Sequence, residues 1–303
     1  MPAAMPPRHR PFLALGLRML AMLAMSAMLV FSKLSGERGI WLPETMFWRQ
    51  LLPALAIFAW LAMRGQLARL HTNRPWIHAR RAFIGTVGMF LTLGVVQILP
   101  MAESTVLGFT TPVFAVILSA LLLREHVGLW RWSAVLLGLA GIVIIAGPDR
   151  SHLPAFGVAV GIGAAFMVAL VSIQLRDLGR TEAPLTVVFW FSAMSAPFLS
   201  LFLLKTGIHH DATDWLILAG IGASGLLTQI LLTAALRYGT VASVIVMDYS
   251  QLGWSTLWGW LFFAAVPPAA TWIGAPVIIA AGLIITWREH VLMRERAAAL
   301  LNA

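Results

Sequence analysis

Among the ionisable side chains that fall inside long apolar runs of this 303-residue chain, three stand out: Arg49, Glu103 and Asp248. A charge at such a position faces protein or a water-filled cavity and marks a candidate ligand contact, ion pair or proton relay. Asp248 is the foremost candidate. Val244, Asp248, Gln251, Ser255 and Trp258 follow the spacing of one helical stripe, and a polar stripe on an apolar helix faces inward. A carboxylate there meets an amine or another cation, or carries a coupling proton. The alternative is a carboxylate fixed by Tyr249, Arg49 or a backbone donor. Glu103 shares a face with Leu107, Thr110 and Phe114, where it can touch a ligand or complement a helix dipole. Arg49 can snorkel outward, bind a substrate carboxylate or pair with Glu103; the Arg49–Glu103 pair is expected first.

Gln97 and Gln229 are neutral hydrogen-bonding groups that either line a path or join helices. Trp48, Phe90, Phe166, Trp190, Tyr249 and Trp254 can supply an aromatic wall for an amphipathic ligand, although many of the 13 tryptophans belong at membrane interfaces. The expected substrate-binding set is therefore Asp248, Gln251, Tyr249, Ser255, Gln229, Glu103, Phe90, Gln97, Trp190 and Trp254. No catalytic residue, metal site or cofactor is expected, and with no cysteine thiolate chemistry is excluded. Gly220-Ile-Gly222-Ala-Ser-Gly225 fits a dinucleotide fingerprint literally, but it lies in an apolar run with no strand before it. His209, His210 and Asp211 form a weak metal cluster, better read as a solvated turn. The absence of a P-loop argues against an ATP-driven pump.

The elements that must position these groups are helices in a bilayer. Hydrophobic residues make up 60% and charged residues 11% of the chain, against about 25% charged in a soluble domain. Ten apolar runs are readable, at 12–34, 45–63, 77–98, 102–123, 129–147, 154–175, 184–204, 214–236, 240–263 and 267–287. Each approaches the roughly 20 residues that a helix needs to cross the hydrocarbon. The run from 12 reads as a first span rather than a cleaved signal. The net charge of +9 reflects topology rather than nucleic-acid binding, which is not expected. With the N-terminus inside, basic residues such as Arg64, Arg69, Arg74, Arg80, Arg81, Arg124 and Arg131 fall on the inner side. The outer loops hold only Lys33, Arg38, Arg150 and Lys205. Both termini are expected on the cytoplasmic side of the membrane.

An internal repeat organises the runs. The tract 101–127 aligns with 238–266, Pro43 with Pro184, and Gly141 with Gly282. The expected fold is all-α: ten transmembrane helices as two inverted five-helix repeats, 1–148 and 149–303, around a central cavity. Gly157, Gly161, Ala165 and Ala169 predict a small-residue packing ridge. Pro53, Pro112, Pro197 and Pro276 predict kinks.

Several tracts carry a family resemblance: Phe47-Trp48-Arg49-Gln50, Leu99-Pro100-Met101-Ala102-Glu103, Phe109-Thr110-Thr111-Pro112, Leu123-Arg124-Glu125-His126-Val127, Trp132-Ser133-Ala134-Val135, Arg180-Thr181-Glu182-Ala183-Pro184-Leu185 and Asp248-Tyr249-Ser250. Over about residues 10 to 290 the chain resembles the EamA-type branch of the drug/metabolite transporter superfamily. Gln50 and Gln251 depart from the pattern, which usually has Asn and a basic residue there. The resemblance implies a secondary carrier for amino acids or related small metabolites, by alternating access and with export expected. A monomer is expected, with a dimer as the alternative. Uptake of S-adenosylmethionine or another cationic metabolite is the alternative function, and a membrane enzyme or structural assembly protein the remote one.

Overall fold

The computed structural model of the chain describes residues 11–122, 128–146, 153–179, 181–203, 210–238 and 245–301. All regular structure among them is helical. The helices are α1 (Pro11–Glu37), α2 (Leu42–Met63), α3 (Pro75–Ile98), α4 (Met101–Gly108), α5 (Thr111–Leu122), α6 (Leu129–Ala146), α7 (Ala155–Leu178), α8 (Pro184–Leu203), α9 (Ala212–Tyr238), α10 (Ser250–Phe263) and α11 (Ala269–Leu301). Short 3-10 turns at Leu67–Leu70 and Ile245–Tyr249 precede α3 and α10.

Among the described residues, 8 stretches are long and apolar enough to cross a membrane; α4 and α5 together form one, Met101–Leu122. α6 is a shorter apolar helix and α10 has 14 residues, fewer than the roughly 20 of a full crossing. The ten-span expectation is thus met by eight runs. Of the run 240–263, residues 245–249 are a 3-10 turn and 250–263 are α10, while 240–244 lie outside the described residues.

Chain punctuation follows sequence chemistry. Pro43, Pro75 and Pro184 stand in the first turns of α2, α3 and α8, where a missing N–H leaves nothing unpaired. Gly39 and Gly65 take φ of 73° and 63° just beyond α1 and α2, the left-handed conformation that lets a helix end sharply. Pro112 withdraws the donor that the Gly108 carbonyl would use in a continuous helix. The Thr111 hydroxyl donates to that carbonyl instead, at 2.8 Å, so the α4–α5 break is satisfied locally. Pro53, Pro197 and Pro276 lie inside α2, α8 and α11.

α1 packs on α9, α2 on α8 and α9, α3 on α7 and α8, and α6 on α11. The main buried cluster, with Met28, Leu93, Leu99, Met101, Leu107 and Ile221, joins α1, α3, α4 and α9. The expected ridge is there: Cβ atoms on Gly157 and Gly161 would stand 2.5 Å from Leu99 Cδ2 and 2.6 Å from Leu107 Cδ1, and Ala165 and Ala169 are buried. The glycines of the false fingerprint are helical. Gly220 faces the Phe31 ring and Gly222 faces Leu52, so they bring α9 close to α1 and α2.

Candidate functional site

Six helices, α1, α2, α3, α7, α8 and α9, surround a cavity of about 290 Å³. Arg49 and Gln50 on α2, Arg81 on α3 and Gln229 on α9 reach it, among apolar side chains that include Met28, Met89 and Phe191. No Asp or Glu lines it among the described residues.

Among the described residues, neither of the two arginines has a counter-ion. Arg49 Nη1 donates to Gln50 Oε1 at 2.8 Å and meets Met89 Sδ at 2.8 Å; its Nε faces Met28 Sδ at 3.3 Å. A thioether is a weak acceptor and supplies no negative charge. Arg81, 8% exposed, lies over the Phe191 ring, 4.4 Å from its centre. Its Nε and Nη1 have no hydrogen-bond partner, and neither has Gln50 Nε2. Among the described residues neither guanidinium forms an ion pair, while Arg18, Arg38 and Arg74 do.

The positions follow from helix geometry. Arg81, Gly85 and Met89 stand at i, i+4 and i+8 on one stripe of α3. A Cβ on Gly85 would overlap Arg81 Nη1, so the glycine makes the room that the guanidinium fills. Arg49 Nη1 touches Met89, one turn farther along, about 6 Å of helix rise. Two cations are thereby gathered against neighbouring turns of α3.

Asp248 has the opposite surroundings. It accepts from Arg18 Nε at 2.5 Å and Nη2 at 2.6 Å, a two-pronged carboxylate–guanidinium pair. The two side chains are 28% and 15% exposed. The pair joins α1 to the 3-10 turn before α10. The stripe expected around Asp248 does face inward, since Gln251 and Ser255 are buried. It packs on neighbouring helices: Ser255 accepts from Thr105 at 2.8 Å, and Trp258 donates to Ser26 at 3.0 Å. Val244 lies outside the described residues.

Of the residues expected from sequence, the structure brings Gln229 and Arg49 to the cavity and places the others elsewhere. The Arg49–Glu103 pair is not formed. Glu103, fully buried in the first turn of α4, accepts from Thr271 at 3.0 Å, while Arg49 turns toward α1 and α3. Gln97 donates to the Ser32 carbonyl at 3.1 Å and joins α3 to α1. Trp190 donates to the Leu70 carbonyl at 2.8 Å and anchors a turn. Phe90 is 45% exposed on the outer surface. Tyr249 packs edge-on to Phe109, 5.0 Å between ring centres. Trp254 is partly buried with an unpartnered indole nitrogen, and it does not line the cavity. Sequence reasoning missed Arg18, Gln50 and Arg81 as interior groups. Arg81 was legible as a charge inside the run 77–98, but the Arg80-Arg81 doublet reads as loop charge.

Two polar networks tie the ends of the bundle. At the end with the α1–α2 turn, Arg38 pairs with Asp214 and, at 2.6 Å, with Asp211, and His210 meets Glu44 at 2.6 Å. The Asp214 contact holds the Arg38 guanidinium above its ordinary pKa. The expected solvated turn is in this respect a clasp between helices; His209 lies outside the described residues. At the opposite end, Arg74 pairs with Asp177 at 2.8 Å and Thr72 donates to Glu182 at 2.7 Å.

The model of the EamA-like transporter family matches residues 12–147 and again residues 155–287. The chain belongs to this family. It is 33% identical over 247 residues to a riboflavin transporter of Vibrio cholerae, covering 80% of this chain and 82% of that one. It is 27% identical to a pseudopaline exporter of Pseudomonas aeruginosa, over 88% of this chain and 95% of the relative. An S-adenosylmethionine uptake transporter of Rickettsia bellii is 26% identical over 94% of this chain and 97% of its own. A solved crystal structure superposes with a TM-score of 0.57 at 21% identity, covering 90% of this chain and 98% of that one, a likeness of fold. The protein is thus a multi-pass membrane transporter for a small molecule.

Proposed function

We propose that the chain is a secondary carrier of the bacterial inner membrane that moves amino acids or related small metabolites by alternating access. In this reading the two halves form inverted five-helix repeats, both termini are cytoplasmic, and net movement is export. The substrate occupies the cavity between α1, α2, α3, α7, α8 and α9. The observation that carries the reading is that this cavity, near mid-depth of α2 and α9, is lined by Arg49, Gln50 and Arg81, and that the buried donors Arg81 Nε and Nη1 and Gln50 Nε2 have no acceptor among the described residues. An apolar bundle built only to be stable gains nothing from two uncompensated cations, whereas a carrier needs polar groups that a substrate completes.

The cationic-substrate alternative finds less support. Asp248, the carboxylate that would meet a positive centre, is already neutralised by Arg18, and the cavity itself carries positive charge.

The test is reconstitution of the full chain into liposomes with a panel of labelled amino acids, riboflavin and other small metabolites. The expected result is saturable movement of at least one compound, blocked when a bulky side chain replaces Gly225 beside Arg49. No movement of any compound, with the protein folded and correctly inserted, overturns the proposal.

A further inference from the structure

Resting on that reading of the cavity, we infer that the transported compound carries a carboxylate or another compact oxyanion, and that Arg49 and Arg81 together bind it. Three facts converge. The cavity holds two guanidiniums and no carboxylate among the described residues. The unpartnered polar atoms there, Arg81 Nε and Nη1 and Gln50 Nε2, are all donors. Arg81 is more than nine-tenths buried, so water replaces a missing acceptor poorly. A ligand offering several acceptor lone pairs and a negative charge satisfies every one of these groups at once.

The geometry narrows the chemistry further. Arg81 rests against Gly85 and Arg49 against Met89, neighbouring turns of α3 about 6 Å apart in rise. One oxyanion between them reaches both forks, and a dicarboxylate gives each its own. Phe191, already under the Arg81 guanidinium, and the Met28 and Met89 thioethers offer an adaptable apolar wall for the rest of the molecule. A compound with an amine as its only charge meets repulsion here and no partner.

The experiment uses the full chain in nanodiscs of phosphatidylcholine. Probes come in sets that differ only in the anionic group: glutamate, glutamine and glutaminamide; riboflavin and flavin mononucleotide; with inorganic phosphate and added phosphatidylglycerol as separate arms. The readouts are ligand-dependent thermal stabilisation and, in liposomes, competition for transport. The expected result is that the more anionic member of at least one set binds about tenfold or more tightly than its neutral relative. That preference collapses in R81Q and R49Q and is partly kept in R81K. A second expectation separates this role from a structural one: R81Q melts at the same or a higher temperature when empty, because it removes an uncompensated buried charge. Equal binding of charged and neutral members, or an R81Q protein that keeps the preference, overturns the inference. So does a lower melting temperature of empty R81Q together with an unchanged preference, or stabilisation by phosphatidylglycerol alone. Transport of a neutral compound with no anion preference sinks this inference and leaves the carrier intact. Anion binding without transport of any compound sinks the carrier and leaves the site.

Discussion

Two interior regions of this bundle handle charge in opposite ways. Beside α10, Arg18 and Asp248 cancel each other through a two-pronged pair. In the cavity, Arg49 and Arg81 have only a neighbouring amide, thioethers and an aromatic face. The first region is complete as it stands and serves to join α1 to the chain before α10. The second lacks an acceptor for its Arg81 and Gln50 donors among the described residues. Ionisable residues in apolar helices are commonly read as functional by their presence alone; here the partner, or its lack, separates the charge that joins helices from the one proposed to meet a substrate.

The strongest way to break that contrast is to unpair Asp248. D248A strands Arg18 and is expected to cost about 2–3 kcal/mol, below the roughly 3–5 kcal/mol of a fully buried pair because both groups keep some exposure. Replacing both with apolar residues of similar volume, R18M with D248L, is expected to recover most of that loss. Thermal denaturation in detergent checks both variants, and a double variant no more stable than D248A would return Asp248 to the list of ligand groups.

The contrast sharpens if the unpaired side is disturbed without changing its charge. G85A pushes a methyl group into the space of the Arg81 guanidinium. The methyl group meets both the flexible end of Arg81 and the edge of the Phe191 ring, at 2.8 Å, so stability is expected to fall by about 1–2 kcal/mol. The rate of transport is expected to drop about tenfold, since a displaced guanidinium forfeits a charge-assisted contact. Initial rates beside melting temperatures separate the two effects.

The smallest effect is expected at the surface clasp. R38Q removes a side chain that pairs with Asp211 and Asp214 in a solvent-accessible setting. It should lower the melting temperature less than either D248A or G85A does, and that difference should shrink in about 1 M salt. A salt-independent loss would mean that the clasp acts through packing.

How much of this was legible in the sequence depends on the range of the interaction. Prolines, end glycines and the Gly157–Gly161 ridge act within a turn or two, and their helices form where the residues say. Asp248 was recognisable as an interior charge, but its partner lies 230 residues away. Nothing local in the run around Arg18 announces that role, and side counting absorbs it as topology. Arg81 was hidden in the same manner, by an adjacent Arg80 that does behave as surface charge. Glu103 and Arg49 were each recognisable as buried; that they turn to different neighbours, Thr271 and Met89, is decided by how α2, α3, α4 and α11 pack, which pattern alone does not encode.

The polar networks at the two ends share no residue. One holds Arg38, Glu44, His210, Asp211 and Asp214, and the other Thr72, Arg74, Asp177 and Glu182. Leak-tightness is then a matter of stiffness, because neither clasp feels the other directly. Between them runs α2, a continuous helix of 22 residues that holds Glu44 in its first turn and Pro53 in its interior, where the proline leaves the Arg49 carbonyl without its helical donor. In the proposed alternating-access cycle that proline, one turn from Arg49, is the place where α2 can flex, so opening at one end need not be matched by equal closing at the other.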